Sequence, residues 1–177
     1  MSVSSIKRKL PLSRLLHIRL LALDFDGTLT DGTVYVSEDG TEMVRCSRRD
    51  SLGIEMLKNA GVIVFVISKE KNKVVSARCK KMKIACFQAV KTGEDKCKIL
   101  EMVAKKHGFP RKQIGYMGDD VNDVPALRCA GMGVTVADGH KKAKEAAHYI
   151  TNARGGEHAV REICDLILAA KEMQPRF

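Results

Sequence analysis

A chain of 177 residues with 45% apolar content is sized for one globular domain with a full core, and no apolar run approaches the roughly 20 residues of a membrane-spanning helix. The six cysteines (46, 79, 86, 97, 129 and 164) show no C-x-x-C and no histidine at zinc-ligand spacing. They read as small buried residues of a reducing cytosol, against a structural zinc or a disulfide framework. The net charge of +10 suits attraction of an anionic small substrate.

The basic start comes first in the chain. Met1 to Arg19 contains no acid but carries Lys7, Arg8, Lys9, Arg14 and Arg19. Three readings compete: an arm for nucleic acid, a transit peptide, or a solvated extension over 1–18 ahead of a domain spanning 19–177. Aromatics are scarce and Trp is absent, so base-stacking platforms are not evident, which favours the extension and no nucleic-acid or membrane partner.

Strand-like and helical segments then alternate. Strands are predicted at Leu20–Phe25, Val62–Ile67, Ile84–Gln88, Ile114–Met117, Gly133–Val136 and Tyr149–Ile150. Helices are predicted at about Ser51–Ala60, Asn72–Met82, Lys96–His107, Val121–Cys129, His140–Ala147 and Glu157–Met173, with Gly61 and Gly108 placed as helix stops. This order implies right-handed βαβ units and a Rossmann-like parallel sheet with helices on both faces. One stretch breaks the rhythm: Thr33–Ser37 and Thr41–Cys46 flank Glu38-Asp39-Gly40, a hairpin signal that predicts a flap over the sheet edge. No insertion is long enough for a separate cap domain.

The chemistry concentrates at strand ends. The first strand runs into Asp24-Phe25-Asp26-Gly27, where alternate side chains share a face, so both acids can project from the strand tip. Bare D-x-D-G is as compatible with a solvated turn as with a site. Ser68 follows the second strand, Lys96 opens the helix after the third, and Gly118-Asp119-Asp120-Val121-Asn122-Asp123 follows the fourth. Each alone has an ordinary reading: a helix cap, a solvated lysine, an Asx turn. Together, and in this order, they gather at the C-terminal edge of a parallel sheet, where such folds build sites.

Groups of this kind suit phosphoryl transfer through a carboxylate. Mg²⁺ would hold carboxylate and phosphate together, Asp24 would attack phosphorus, and Asp26 would protonate the leaving alkoxide and later take a proton from water. Ser68 and Lys96 would bind the equatorial oxygens. Asp119 would complete the metal site, and Asp123 would orient ligands or Lys96.

On DFDGT, the Ser68 strand end, Lys96 and GDDVND, the sequence resembles the haloacid dehalogenase-like superfamily over Leu20 to Leu168. The acid at Asp26 marks the phosphatases of that superfamily. LTDG (Leu29 to Gly32), the hairpin, RRDSLGIEMLKNAG (Arg49 to Gly61) and RGGEHAVRE (Arg154 to Glu162) are similar to the small capless phosphatases of 2-keto-3-deoxy sugar acids. These act on KDO 8-phosphate in lipopolysaccharide synthesis, or on KDN or N-acylneuraminate 9-phosphate. The resemblance implies a cytoplasmic homotetramer in which hairpins form a shared barrel, a neighbour roofs the site and the RGG segment reaches the adjacent entrance. It implies magnesium held by Asp24, Asp119 and the backbone carbonyl of Asp26, with Thr28, Asp120 and Asp123 in support. It places Arg49, Asp50, Ser51 and Arg78 around the sugar acid. Ser68-Lys69-Glu70 stands where many members carry Thr-Gly-Arg, and Glu70 with Lys81 resembles the nine-carbon branch. A second function class is a catalytically weak oligomerisation module related to acylneuraminate cytidylyltransferase, which the intact motifs argue against.

Overall fold

The computed structural model describes residues 11–171. Six parallel strands form one sheet: β1 Leu20–Leu23, β4 Ile63–Ile67, β5 Ala85–Phe87, β6 Ile114–Met117, β7 Met132–Thr135 and β8 Tyr149–Ile150, in the order β5-β4-β1-β6-β7-β8. Strand β1 lies inside, with Leu23 paired to Val66 on one side and to Met117 on the other. The chain winds outward from β1 in both directions, which opens a crevice beyond its C-terminal end.

Alternation along β1 divides the core. Leu21 and Leu23 point to the face covered by α1 (Leu12–Leu15), α2 (Arg48–Asn59), α3 (Lys73–Met82) and α7 (Ala159–Ala170). Leu20 and Ala22 point to the face of α4 (Gly93–Lys106), α5 (Val124–Cys129) and α6 (Lys141–Ala146). No charged side chain interrupts these strands because both faces are covered. Among the described residues no helix is long and apolar enough to cross a membrane.

Two helices, α2 and α4, start earlier than predicted because capping side chains precede them. The Ser47 hydroxyl accepts from the amides of Arg49 and Asp50, so α2 opens at Arg48. Thr92 accepts from the amide of Asp95, so Lys96 lies one turn inside α4 rather than at its start. Gly61 and Gly108 take the left-handed conformation expected of helix stops, with φ of 79° and 68°. The predicted continuation of the last helix to Met173 lies outside the described residues, as do Lys7, Arg8 and Lys9.

The described part of the basic start is anchored to the domain at two residues, although most of its side chains are exposed. Leu15 and Ile18 are fully buried, and the Arg14 guanidinium donates to the Gly131 carbonyl. Apolar residues at 15 and 18 share one side of a short turn, a pattern outweighed in the sequence by the surrounding charge.

The predicted hairpin is present but short. β2 (Tyr35–Val36) pairs antiparallel with β3 (Glu42–Met43), and Gly40 supplies a φ of 80° at the turn. Its base is tied down by Arg45, which pairs with Asp31 at 3.2 Å and Glu157 at 3.4 Å. Across the flap, Asn72 Nδ2 donates to the Glu42 carboxylate, linking β3 to the cap of α3.

The cysteines correct the sequence reading. Cys79 and Cys164 are buried thiols, but Cys97 and Cys129, on α4 and at the end of α5, form a disulfide. The 32 residues between them carry no motif that announces the pairing.

Candidate active site

Three strand ends and one helix build the site. Asp24 follows the last rung of β1 and its amide donates to the Met117 carbonyl at 2.8 Å. Ser68 stands two residues past the β4 rung, and Asp119 two past the β6 rung. Lys96 reaches the same point from α4. Asp24, Ser68, Lys96 and Asp123 are each at most 5% exposed.

Lys96 is the hub. Its Nζ donates to Asp24 Oδ1 at 2.5 Å and to Asp123 Oδ1 at 2.7 Å. Burial alone would lower the lysine pKa, but Asp24 and then Asp123 outweigh it and hold the ammonium charged. Carboxylate oxygens of Asp24, Asp119 and Asp123 all lie within 4.8 Å of one another. One ammonium therefore faces three acids, and the surplus negative charge shows in their protonation. Burial and then Asp123 push Asp24 well above the usual carboxylate range. Burial, Asp123 and Asp120 push Asp119 up to about 7.

This imbalance fits a divalent cation. Asp123 is not free to ligate one, because its four acceptor positions are taken: Oδ1 by Lys96 and the Tyr116 hydroxyl (2.6 Å), Oδ2 by the amides of Asp119 (3.0 Å) and Asp120 (3.3 Å). Asp24 and Asp119 keep open oxygens and are the side chains able to hold a hard cation. Tyr116 is a site residue that the sequence reading missed. Its signal was a tyrosine inside the apolar strand IGYM, where a buried hydroxyl needs a partner.

The DxDG loop is shaped by its own residues and by a second loop. Thr30 Oγ1 accepts from the amides of Gly27 and Gly32. Gly27 adopts φ 78°, and a Cβ there would stand 2.1 Å from Asp119 Oδ2. Gly27→Ala should therefore displace the Asp119 carboxylate and lower turnover by about a hundredfold or more, measured by steady-state kinetics. Gly156 donates its amide to the Thr28 carbonyl, and a Cβ on Gly155 would meet the Gly27 carbonyl at 1.8 Å. The RGG segment, expected at a neighbour's entrance, thus packs on its own chain's DxDG loop. Asp138 holds it through the Gly155 amide and the Arg154 guanidinium, and Glu162 accepts from the amides of Asn152 and Ala153.

The other predicted residues fall in separate places. Asp26 is half-buried; burial, then Glu70 and Glu42, raise its carboxyl. Glu70 is exposed but electrostatically close to Asp26. Thr28 is fully buried with its Oγ1 unpartnered, and Asp120 caps the 3-10 turn at Val121–Asp123. Ser68 Oγ accepts from the Glu70 amide at 3.1 Å. Arg78 Nη2 donates to the Ser47 carbonyl at 2.8 Å and to Ser51 Oγ. Ser51, Arg78 and Lys81 line a groove of about 460 Å³ between α2 and α3 that contains none of the clustered acids. Arg49 is exposed. Asp50 is 1% exposed and turned to α7, where its Oδ1 accepts from the Arg161 amide at 2.8 Å while its Oδ2 is unpartnered. Its carboxylate holds two helices together instead of lining an open pocket. Sequence proximity to Arg49 concealed this, since adjacent helix residues point about a hundred degrees apart.

A parallel sheet with acids just past the ends of β1 and β6 and a buried lysine from α4 at its C-terminal edge has the build of a hydrolase of the α/β class. Residues 55–162 match the family of haloacid dehalogenase-like hydrolases. The 3-deoxy-D-manno-octulosonate 8-phosphate phosphatase of Salmonella typhi is 35% identical over 155 residues, covering 88% of this chain and 81% of that protein. The enzyme of the same name from Moraxella catarrhalis, solved with magnesium, phosphate and KDO, is 36% identical, covers 91% of each chain and superposes with a TM-score of 0.86. The cobalt-bound phosphatase of Haemophilus influenzae is 32% identical, with a TM-score of 0.84 over 90% of this chain and 92% of that one. The chain belongs to the haloacid dehalogenase-like hydrolases, in their 3-deoxy-D-manno-octulosonate 8-phosphate phosphatase branch, a family of phosphomonoester hydrolases.

Proposed function

We propose that this protein hydrolyses the phosphate monoester of a 2-keto-3-deoxy sugar acid through an aspartyl phosphate on Asp24. The observation that carries the reading is the Lys96 ammonium shared between Asp24 and Asp123 beside the open oxygens of Asp119. Magnesium, held by Asp24, Asp119 and the Asp26 backbone carbonyl, would neutralise the charge that otherwise keeps a phosphate dianion from a carboxylate. The remaining work falls to the chain. Lys96 and the Ser68 hydroxyl bind equatorial phosphoryl oxygens, where charge is held in the transition state. Lys96 also orients the Asp24 carboxylate so that its other oxygen faces phosphorus. Asp26, its carboxyl raised by burial and then by Glu70, gives its proton to the leaving alkoxide and recovers one from the attacking water.

Substrate is argued from two sides. The relatives' activity on KDO 8-phosphate supports the eight-carbon ester. Glu70 beside Asp26, with Arg78 and Lys81 in the α2–α3 groove, favours KDN or N-acylneuraminate 9-phosphate, whose longer polyol offers more hydroxyls to an acid. Steady-state turnover of both esters decides: a kcat/KM ratio favouring the eight-carbon ester rejects the role given to Glu70.

The flap supports self-association. Val34, Tyr35, Val36 and Met43 are all exposed, Tyr35 at 70%, on and beside the β2–β3 pair. A homotetramer built on these hairpins would cover them and bring the basic groove of one protomer toward the site of another. Tyr35→Glu is expected to lower the sedimentation mass from tetramer and raise KM more than it lowers kcat; a monomeric wild type would reject the assembly.

Charge in the site predicts a pH effect. In the chelated protein Asp119 binds a proton up to pH about 7, whereas an unfolded aspartate loses it near pH 4. Between these values the folded state holds more protons, so stability falls as pH rises. Tm with EDTA should drop from pH 5 to pH 8, Mg²⁺ should restore it at pH 8, and Asp119→Asn should flatten both responses.

A further inference from the structure

The Cys97–Cys129 bond lies against the proposed site without belonging to it. Cys97 directly follows Lys96 in α4, and Cys129 ends the helix that begins immediately after Asp123. The loop closed by the two sulfurs contains β6, Asp119, Asp120 and Asp123. At its other end the same helix pair touches where Gly93 packs on the Asn122 carbonyl and Pro125, a fit so close that a Cβ would stand 2.5 Å from that oxygen. The helix carrying Lys96 is thus fixed to the segment carrying Asp123 at two points, one of packing and one covalent. Both cysteines are half-buried, so small thiols and disulfides can reach them. Glu101 lies beside the pair, with its carboxylate 3.8 Å from Cys129 Sγ. Sulfurs bonded to each other do not ligate a metal, so this trio is read through its sulfur chemistry.

We propose that Cys97 and Cys129 form a reversible thiol–disulfide site that sets how firmly Lys96 is held against Asp123. The oxidant is a small-molecule disulfide of the glutathione class. Either cysteine can lead the exchange, and the steps balance in the same way with Cys97 as the attacking thiol. Its thiolate forms a mixed disulfide and expels one thiolate; Cys129 then attacks the Cys97 sulfur and expels the second. Two protein thiols lose two electrons and two protons, and the oxidant becomes two thiols. A dithiol reverses the sequence. Closing a 32-residue loop restrains the unfolded chain and, in the folded one, limits sliding of α4 along α5. The consequence for phosphate rests on the reading of Lys96 as a phosphate ligand.

The test uses the full chain equilibrated with oxidised glutathione or with dithiothreitol. Peptide mapping of the oxidised sample should give a cross-linked peptide joining Cys97 to Cys129. Its Tm should exceed that of the reduced sample by about 5–10 °C. Reduction should weaken binding of inorganic phosphate, measured by calorimetry with Mg²⁺ present, by about three- to tenfold, the cost of loosening a charge contact rather than removing it. Cys97→Ser and Cys129→Ser should each bind phosphate like the reduced wild type, and oxidised glutathione should give neither of them an intramolecular cross-link nor the gain in Tm. Absence of the cross-linked peptide, or a cross-linked protein with the Tm and phosphate affinity of the reduced one, overturns the proposal. Cross-link and Tm are read without substrate, so a failed phosphatase assay and a failed thiol site are separate results.

Discussion

Asp24→Asn is expected to abolish phosphomonoester turnover, by about a thousandfold at least, while leaving the fold intact. An amide at this position cannot become an acyl phosphate, and no neighbour can replace it. Asp123 is consumed by four donors. The substitution also removes one of three crowded acids. Since burial and Asp123 already push Asp24 well above its normal range, loss of its charge should relieve repulsion and leave Tm unchanged or higher in EDTA. Inactivity combined with undiminished stability is the signature of a nucleophile. Full activity in the variant would reject the aspartyl-phosphate mechanism, and inactivity with a collapsed Tm would identify Asp24 as a structural partner of Lys96.

Lys96→Met should give the opposite combination, losing both activity and stability. The ammonium is 1% exposed and offsets two carboxylates, so its removal leaves an uncompensated buried charge, a loss of about 3–5 kcal/mol. For a chain of this size that lowers Tm by about 10 °C. Part of the loss is recoverable by protonating the acids, so the variant should regain stability as pH falls. Combining Lys96→Met with Asp24→Asn should restore a portion of the Tm and none of the turnover, a coupling that a double-mutant cycle measures directly. Equal Tm losses in the single and double variants would mean that Lys96 and Asp24 do not interact as the 2.5 Å contact indicates.

How much of this was legible in sequence depended on whether a signal was local. Asp24, Ser68 and Asp119 could be placed because each closely follows an apolar run and parallel topology brings all such ends to one edge, and Lys96 because its helix follows the third strand. Strand positions and glycine stops followed from the same local grammar. What escaped depends on tertiary neighbours. Asp50 reads as part of a polar RRDS segment, yet its burial is decided by α7, more than a hundred residues away. Leu15 and Ile18 sit among charges whose helix happens to find the core. The sulfur pair has no spacing rule, since only the docking of α4 on α5 makes it. Tyr116 was hidden by treating a strand as purely apolar. The sugar-acid residues were named from resemblance, and a single chain separates them between the Asp26 neighbourhood and the α2–α3 groove.

The placement of β1 between β4 and β6 has a consequence for how the molecule comes into being. Pairing Leu20 with Ile114 joins segments roughly a hundred residues apart, the sort of non-local contact that forms late because chain closure must come first. Asp24 and Asp119 sit on opposite sides of that seam. A nascent or partly collapsed chain therefore carries its acids apart, and affinity for a cation arises only once the seam has zipped. Recovery of Mg²⁺ binding during refolding should lag behind helix formation and coincide with burial of Tyr116, making the ion a reporter of the final step of maturation.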